Sequence, residues 1–158
     1  MNLYIRFFLL LLPLAGCSNV HTQEDDKDYF LDKYIAYVRD IQESKYPGTI
    51  EQHRTEGFVN FYKDTYGKIE PRHLSWDVQA SFMKISTIKD SYFTRDDEDS
   101  CLTLSGKNHF DIPMVLDMRF VEESEGWRIE HFRAVVYESP VKPSYPTKAS
   151  CPEKGAEQ

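Results

Sequence analysis

The 158-residue sequence lacks the short motifs that usually carry enzymatic or nucleotide chemistry. It has no Gly-x-Ser-x-Gly elbow, no Walker phosphate loop, no dinucleotide-binding glycine fingerprint and no zinc-ligand spacing of cysteines and histidines. An EF-hand loop starting at Asp97 would need Gly and Glu where Leu102 and Asn108 stand. The sequence therefore indicates no cofactor and no metal site.

Long apolar runs and positive charge are also scarce. The apolar run at residues 7–12 is much shorter than the ~20 residues of a membrane-spanning helix. The whole chain has 19 Lys and Arg against 26 Asp and Glu, a formal charge of −7. A protein surface with net negative charge is repelled by the phosphate backbones of nucleic acids. We therefore expect no nucleic-acid partner and favour a basic protein or a cationic ligand. Alternatively, the charge serves only solubility.

The first seventeen residues have the anatomy of a secretory signal: Arg6, an apolar run and small residues before Cys17. Leu14-Ala15-Gly16-Cys17 resembles the lipobox of bacterial lipoproteins. This resemblance implies that residues 1–16 are a signal peptide and that Cys17 is acylated, for example with palmitate, and anchors the chain in a lipid bilayer. With Ser18 next, it also implies an outer-membrane position facing the periplasm. The alternative is an ordinary signal peptide with a coincidental Cys17.

Two cysteines remain after Cys17, namely Cys101 and Cys151. Beyond an oxidising membrane such a pair usually forms a disulfide bond. The bond would close a loop of about fifty residues, fasten the C-terminal tail to the domain and stabilise the fold by up to about 4 kcal/mol. Two free thiols or a metal-binding pair are the alternatives.

The chain divides into four segments by composition. Residues 17–27 have almost no apolar side chains and are predicted to be a flexible tether. Residues 28–139 form the predicted α+β domain, and residues 140–158, which contain four prolines, form an extended tail.

Apolar residues at helical spacing predict two helices early in the domain. The first runs from Asp28 to the break at Tyr46-Pro47-Gly48, with one apolar face formed by Phe30, Tyr34, Tyr37, Val38 and Ile41. The second starts at Thr49, which forms a capping box with Gln52, and ends at Gly67. Its apolar stripe comprises Phe58, Phe61, Tyr62 and Tyr66. A third, shorter helix is predicted at residues 75–85.

Strands are predicted in the second half. Short strands at residues 91–94 and 101–104 flank an acidic turn, and strict apolar alternation at residues 112–121 predicts a half-buried strand. A turn at residues 122–126 and a returning strand at 127–137 complete a long antiparallel hairpin. Helices followed by antiparallel strands predict an α+β fold in which N-terminal helices pack on a curved antiparallel sheet.

Two segments, Phe58-Val-Asn-Phe61-Tyr62 and Gly126-Trp127-Arg128-Ile129, resemble NTF2-like or cystatin-like α+β domains of small bacterial lipoproteins. The resemblance covers roughly residues 49–138 and implies that a helix packs into a cone-shaped sheet. A small β-barrel with helical cover is the alternative fold. The NTF2-like fold hosts isomerases, hydrolases, scaffolds and toxin-neutralising proteins, so the resemblance leaves the function open.

His131 is the one histidine that lies in the middle of a predicted strand. The apolar alternation changes phase near it, which indicates a β-bulge and leaves the face of His131 open. With Asp117 or Asp111 as partner it could act as a general base. Because a structural histidine is more common, His131 and Asp117 are only weak catalytic candidates.

Three classes of function remain. We favour a non-catalytic module that binds a protein partner, of which an immunity-type lipoprotein is one version. A small-molecule binding protein using the cone cavity and an NTF2-like isomerase or hydrolase are the alternatives. The predicted partner-binding rim consists of two acidic turns that we expect to be exposed, with residues Asp96, Asp97, Glu98, Asp99, Glu122, Glu123 and Glu125.

Overall fold

The computed structural model describes residues 23–43, 48–68, 84–95, 99–137 and 143–153. In this part of the chain, three helices pack against a four-stranded antiparallel sheet that does not close. The helices are α1 Gln23–Gln42, α2 Gly48–His53 and α3 Glu56–Tyr66. The strands are β1 Ile85–Arg95, β2 Asp99–Asn108, β3 Pro113–Glu123 and β4 Gly126–Val136.

The sheet is a simple meander with the strand order β1-β2-β3-β4, so among the described strands β1 and β4 are the outer two. The predicted α+β class is confirmed, and the open sheet shows that the closed β-barrel alternative was wrong. No helix in the described part of the chain is both long and apolar enough to cross a membrane.

Helix α1 confirms the first predicted helix but begins at Gln23 instead of Asp28. Residues 23–27, predicted as the end of the tether, are therefore helical. Acidic residues in the first turn interact favourably with the helix dipole. Tertiary contacts also hold this turn on β1: the Gln23 side chain donates to the Phe93 carbonyl at 3.1 Å, and Asp26 pairs with Arg95. Composition alone does not reveal such contacts.

The second predicted helix is two helices, separated at Arg54 and Thr55. The break lets the Thr55 N–H donate to the Ile129 carbonyl of β4 at 3.2 Å, which a continuous helix could not do. Thr55, and not Thr49, is the N-cap of α3, because its hydroxyl accepts from the Phe58 N–H. The predicted end of α3 at Gly67 is confirmed by its left-handed backbone (φ 74°).

Strands β1 and β2, with 11 and 10 residues, are more than twice as long as the predicted strands at 91–94 and 101–104. Two register shifts in the β1–β2 pairing, between Ile85 and Thr87 and between Ile88 and Asp90, interrupt the alternation that sequence reading relies on. Most of the predicted helix at 75–85 lies outside the described residues, but Ile85 itself is in β1.

The core lies between α1 and the helix-facing side of the sheet. Phe30 of α1 is fully buried, and its ring contacts the rings of Phe93, Phe120 and Trp127 at centroid distances of 5.1, 4.8 and 5.2 Å. Strand β3 contributes four buried residues of the predicted alternation, namely Met114, Leu116, Met118 and Phe120. Ile112, at which the alternation was predicted to begin, precedes the strand and is only partly buried. Aromatic side chains therefore fill the centre of this face.

The opposite side of the sheet is covered by the tail at residues 143–153. Cys101 and Cys151 form the predicted disulfide bond, with Cα atoms 5.3 Å apart. The Ser150 N–H donates to the Thr103 hydroxyl at 2.9 Å. Because of this cover Asp117 is buried, although the alternation predicted that β3 exposes this side. The sheet is covered on both sides at its centre.

Candidate functional site

One end of the domain collects acidic residues from elements that are far apart in sequence. An antiparallel meander places the β1–β2 and β3–β4 turns at the same end of the sheet. The N-terminus of α1 lies there through the Asp26–Arg95 ion pair. The N-terminus of α3 lies there because the Glu56 N–H donates to the Glu123 carboxylate at 2.9 Å. We call this end, with Glu24, Asp25, Asp26, Glu56, Asp99, Glu122, Glu123 and Glu125, the acidic end.

The β3–β4 turn supplies the part of the predicted rim that the structure describes most fully. Glu122 and Glu125 are exposed, as expected, and Glu125 pairs with Arg128 at 2.9 Å. Glu123 is partly buried because it caps the N-terminus of α3. The rim function of these residues stays a prediction.

The β1–β2 turn is only partly described, since Asp96, Asp97 and Glu98 lie outside the described residues. Asp99 is described and is not the exposed turn residue that the sequence predicted. Its side chain is mostly buried and accepts a hydrogen bond from the Arg119 guanidinium at 2.8 Å. Asp99 begins β2, where it faces β3, so its charge is already balanced by Arg119.

Two exposed aromatic side chains lie on α3, the helix whose N-terminus is at the acidic end. Phe61 is 52% exposed and Tyr66 is 47% exposed, although both were predicted to belong to a core stripe. In α3 only Val59 is fully buried, while Phe58 and Tyr62 pack partly against the core. The break at Thr55 sets the direction of α3 separately from α2, which a single continuous helix pattern does not predict.

The two weak catalytic candidates take separate roles. Arg119 pairs with His131 and Phe120 with Ile129, so Glu130 is an extra residue and β4 has the predicted bulge near His131. Ile129 and Phe132 both pack into the core on the helix-facing side. His131 therefore lies on the tail-facing side, where its cross-strand neighbour is a cation.

Asp117 belongs to a network that fastens the tail. One carboxylate oxygen accepts from the Thr103 hydroxyl at 2.6 Å, and the other accepts from two nitrogens of Arg133 at 2.9 and 2.6 Å. Arg133 also donates to the Ser150 hydroxyl at 2.8 Å. Asp111, the other proposed partner of His131, lies in the β2–β3 turn and pairs with Lys107. Asp111 is eight residues from Arg119, the cross-strand neighbour of His131, or roughly 25 Å along an extended strand.

The sequence reading missed a buried pair formed by Asp40 and His53. The His53 Nε2 atom lies 2.9 Å from a carboxylate oxygen of Asp40, and both side chains are about 10% exposed. Burial lowers the pKa of His53 below its usual value of 6.5, while Asp40 opposes this shift. A sequence signal existed, since Asp40 stands three residues after Tyr37 on the apolar face of α1.

Arg54 was also missed, and it is buried next to this pair. Its guanidinium lies 3.9 Å from the centre of the Phe58 ring and 5.1 Å from that of Phe132. These contacts are cation–π interactions that connect the α2–α3 break to β4. Across the described segments, no three His, Cys, Asp or Glu side chains lie together as metal ligands would.

No protein-family model, no curated protein and no solved structure matches this chain. The class of the protein is therefore defined by its own architecture. Over its described residues it is an α+β domain in which three helices cover one side of an open four-stranded sheet and a disulfide-bonded tail covers the other. Cys17 lies outside the described residues, so its acylation stays a prediction.

Proposed function

We propose that this protein is a lipid-anchored bacterial envelope protein that binds a protein partner at its acidic end and catalyses no reaction. An immunity-type lipoprotein that blocks an incoming toxin is the specific version we favour. The observation that carries the proposal is the assembly of exposed carboxylates from α1, α3 and the β3–β4 turn at one end of the domain, where α3, the helix that carries the exposed ring of Phe61, begins.

The proposal rests on the different contributions of charge and of apolar contact to protein association. Exposed acidic groups steer a basic partner and raise its association rate, while a few buried aromatic side chains supply most of the affinity. The acidic end offers both. Glu122 and Glu125 are exposed on one element, and Phe61 lies on the helix whose first turn is bonded to Glu123.

The arrangement of ionisable groups supports binding over catalysis. An active site needs titratable groups that converge on a pocket accessible to a substrate. In the described part of the chain, Asp117 is bonded to Arg133 beneath the tail, and Asp99 is bonded to Arg119. The Asp40–His53 pair has the chemistry of a general base but is packed against the ring of Tyr37, 5.6 Å from His53.

Small-molecule binding in an NTF2-like cone has less support. That the segment Phe58-Val-Asn-Phe61-Tyr62 marks an NTF2-like domain remains a proposal. Phe30 occupies the middle of the helix-facing side of the sheet, in contact with three aromatic rings of the strands. An apolar ligand there would have to displace a fully buried side chain.

The start of α1 at Gln23 has a consequence for the proposed anchor. If Cys17 is acylated, only residues 17–22 separate the lipid from the helix, and six residues reach at most ~20 Å. The acidic end, which includes the first turn of α1, would then face the membrane. The partner we propose is therefore a basic protein that lies at or approaches the same membrane surface.

Charge reversal tests this proposal. We would prepare Glu122→Lys with Glu125→Lys, and as a matched control Asp32→Lys with Glu43→Lys, because all four side chains are exposed and the control pair lies away from the first turn of α1. Both variants change the charge by the same amount. Partner capture from crosslinked, detergent-solubilised envelopes would be quantified by mass spectrometry at low and high salt.

We expect the acidic-end variant to lose partner capture and its salt dependence, while the control retains both. Unchanged circular dichroism and melting temperature would show that both variants are folded. Equal capture by the two variants would contradict a partner site at the acidic end. Loss of function on replacing His53 or His131, with normal capture by the charge variants, would favour an enzyme instead.

A further inference from the structure

The outer edge of β1 lines a cavity of about 500 Å³, which has no part in the function proposed above. It is lined by three elements, with residues Gln23, Glu24 and Lys27 of α1, residues 91–94 of β1, and Thr147, Lys148 and Ala149 of the tail. We call this cavity the β1 slot.

The β1 slot has two walls and a floor. Helix α1 packs on the core side of the sheet, since Phe30 contacts Phe93, and it forms one wall. The tail packs on the other side, since Ser150 is bonded to Thr103 and Cys151 to Cys101, and it forms the second wall. The floor is therefore the backbone edge of β1, recessed between layers on both sides of the sheet.

The floor presents backbone hydrogen-bonding groups to the slot. The Gln23 side-chain amide donates to the Phe93 carbonyl at 3.1 Å, so this carbonyl points away from β2. Backbone groups in a strand alternate in direction, so those of Ser91 point the same way as those of Phe93. The Gln23 side-chain amide donates a hydrogen bond as a peptide N–H does. It therefore takes the place at the Phe93 carbonyl that a backbone N–H of an additional strand would take.

We propose that the β1 slot binds a short extended peptide segment of a partner protein, which adds to the sheet as a fifth strand beside β1. Edge strands recognise extended peptides in this way through main-chain hydrogen bonds. The four floor residues span about 13 Å, which accommodates four or five residues of a partner. The inference rests on the proposed role in protein binding. The slot shares Glu24 with the acidic end, but Glu122 and Glu125 belong to the β3–β4 turn at the opposite side of the strand order.

The geometry favours a free peptide over a second copy of this chain. Two β1 edges could pair only if the α1 and tail walls of both copies passed each other, and identical recessed edges collide before their backbones meet. A peptide without flanking layers enters without this conflict. The side chains on the walls carry one Glu and two Lys, with Glu24 paired to Lys27, so charge is not the main selector.

The test uses the full-length protein in detergent and a phage-displayed library of random seven-residue peptides. Ser91→Pro removes the outward N–H without removing a β1–β2 hydrogen bond, and Ser91→Ala is the matched control that retains it. Enriched peptides would be synthesised and their affinities measured for both variants. Amide hydrogen exchange of the unmutated protein, with and without peptide, is the independent measurement.

We expect Ser91→Pro to weaken peptide binding about tenfold or more, as loss of one backbone hydrogen bond and a steric clash predict, and Ser91→Ala to leave it unchanged. Bound peptide should slow exchange at the Ser91 amide. The inference is overturned if no library peptide binds, if bound peptides leave β1 exchange unchanged, or if the protein forms a β1-paired dimer. Glu122→Lys with Glu125→Lys should not affect peptide binding, so failure at either surface is recognised separately.

Discussion

Removing the Cys101–Cys151 disulfide bond should release the tail and destabilise the domain. The perturbation is the double replacement Cys101→Ala and Cys151→Ala. Alanine is preferred to serine because Cys101 is fully buried, and a hydroxyl there would need a hydrogen-bond partner. The change removes the crosslink and leaves the other tail contacts available.

The expected loss follows from the length of the closed loop. The two cysteines are 50 residues apart, which corresponds to about 4 kcal/mol of chain entropy in the unfolded state. A domain of this size usually has 5–15 kcal/mol of total stability, so this loss is a large part of it.

Without the crosslink, the described tail at 143–153 has few polar contacts to hold it. Ser150 forms three hydrogen bonds with Thr103 and Arg133, and the Ser144 carbonyl accepts one from the Tyr137 hydroxyl, each worth roughly 1 kcal/mol. Ordering the backbone of eleven residues costs roughly 1 kcal/mol per residue or more. Burial of Pro152 offsets only a part of this cost. We therefore expect the tail to detach before the sheet unfolds.

Two measurements check this prediction. Urea unfolding followed by tryptophan fluorescence should give a free energy of unfolding lower by about 4 kcal/mol in the double variant. Amide hydrogen exchange at residues 143–153 should become fast in the variant while exchange in β2 and β3 stays slow. A loss below about 1 kcal/mol together with a protected tail would refute the reasoning, because the tail would then be held by its noncovalent contacts alone.

Further predictions address other features of the molecule. Arg133→Ala should lower the free energy of unfolding by about 1–3 kcal/mol, since it leaves the buried carboxylate of Asp117 without its cation. The Arg133 side chain is 51% exposed, which keeps the effect moderate. A change within about 0.5 kcal/mol in urea unfolding would contradict this prediction. Burial lowers the pKa of His53 from 6.5, so its contribution to stability is complete above about pH 6.5 and is lost as the pH falls toward the lower folded-state pKa. In urea unfolding between pH 7 and 5, His53→Asn should therefore lose less stability than the unmutated protein, and parallel curves would refute this. Gly106→Ala should lower the free energy of unfolding by about 1–3 kcal/mol and lower the melting temperature, because an added Cβ would collide with a backbone carbonyl of β1. An unchanged melting temperature would contradict that contact. Cys17→Ser should abolish labelling with radioactive palmitate and release the protein from membranes, and membrane retention of the unlabelled variant would exclude the lipid anchor.

Much of the fold could be predicted because it depends on local periodicity. The 3.6-residue spacing from Phe30 to Ile41 predicted α1, and the alternation from Met114 to Phe120 predicted β3, because one apolar face must be buried in each case. Gly67 predicted a helix end, since its positive φ favours a residue without a Cβ.

The candidate sites were less predictable because they depend on contacts between distant segments. Asp40 and His53 lie thirteen residues apart and meet only because α2 packs back on α1. Asp99 looked like a turn carboxylate until β3 placed Arg119 against it. The spacing of residues within one helix or strand does not show how that element packs against another.

The sequence by itself predicted most classes of element and favoured the pairing of Cys101 with Cys151, and it determined the acidic composition, because these follow from residue type and local order. Only the tertiary structure decided which carboxylates are exposed. The meander brings two turns to one end, the break at Thr55 directs α3 toward Glu123, and the tail buries Asp117. The physical reason is that burial and ion pairing depend on what packs against a residue, and such neighbours are set by the whole chain folding together.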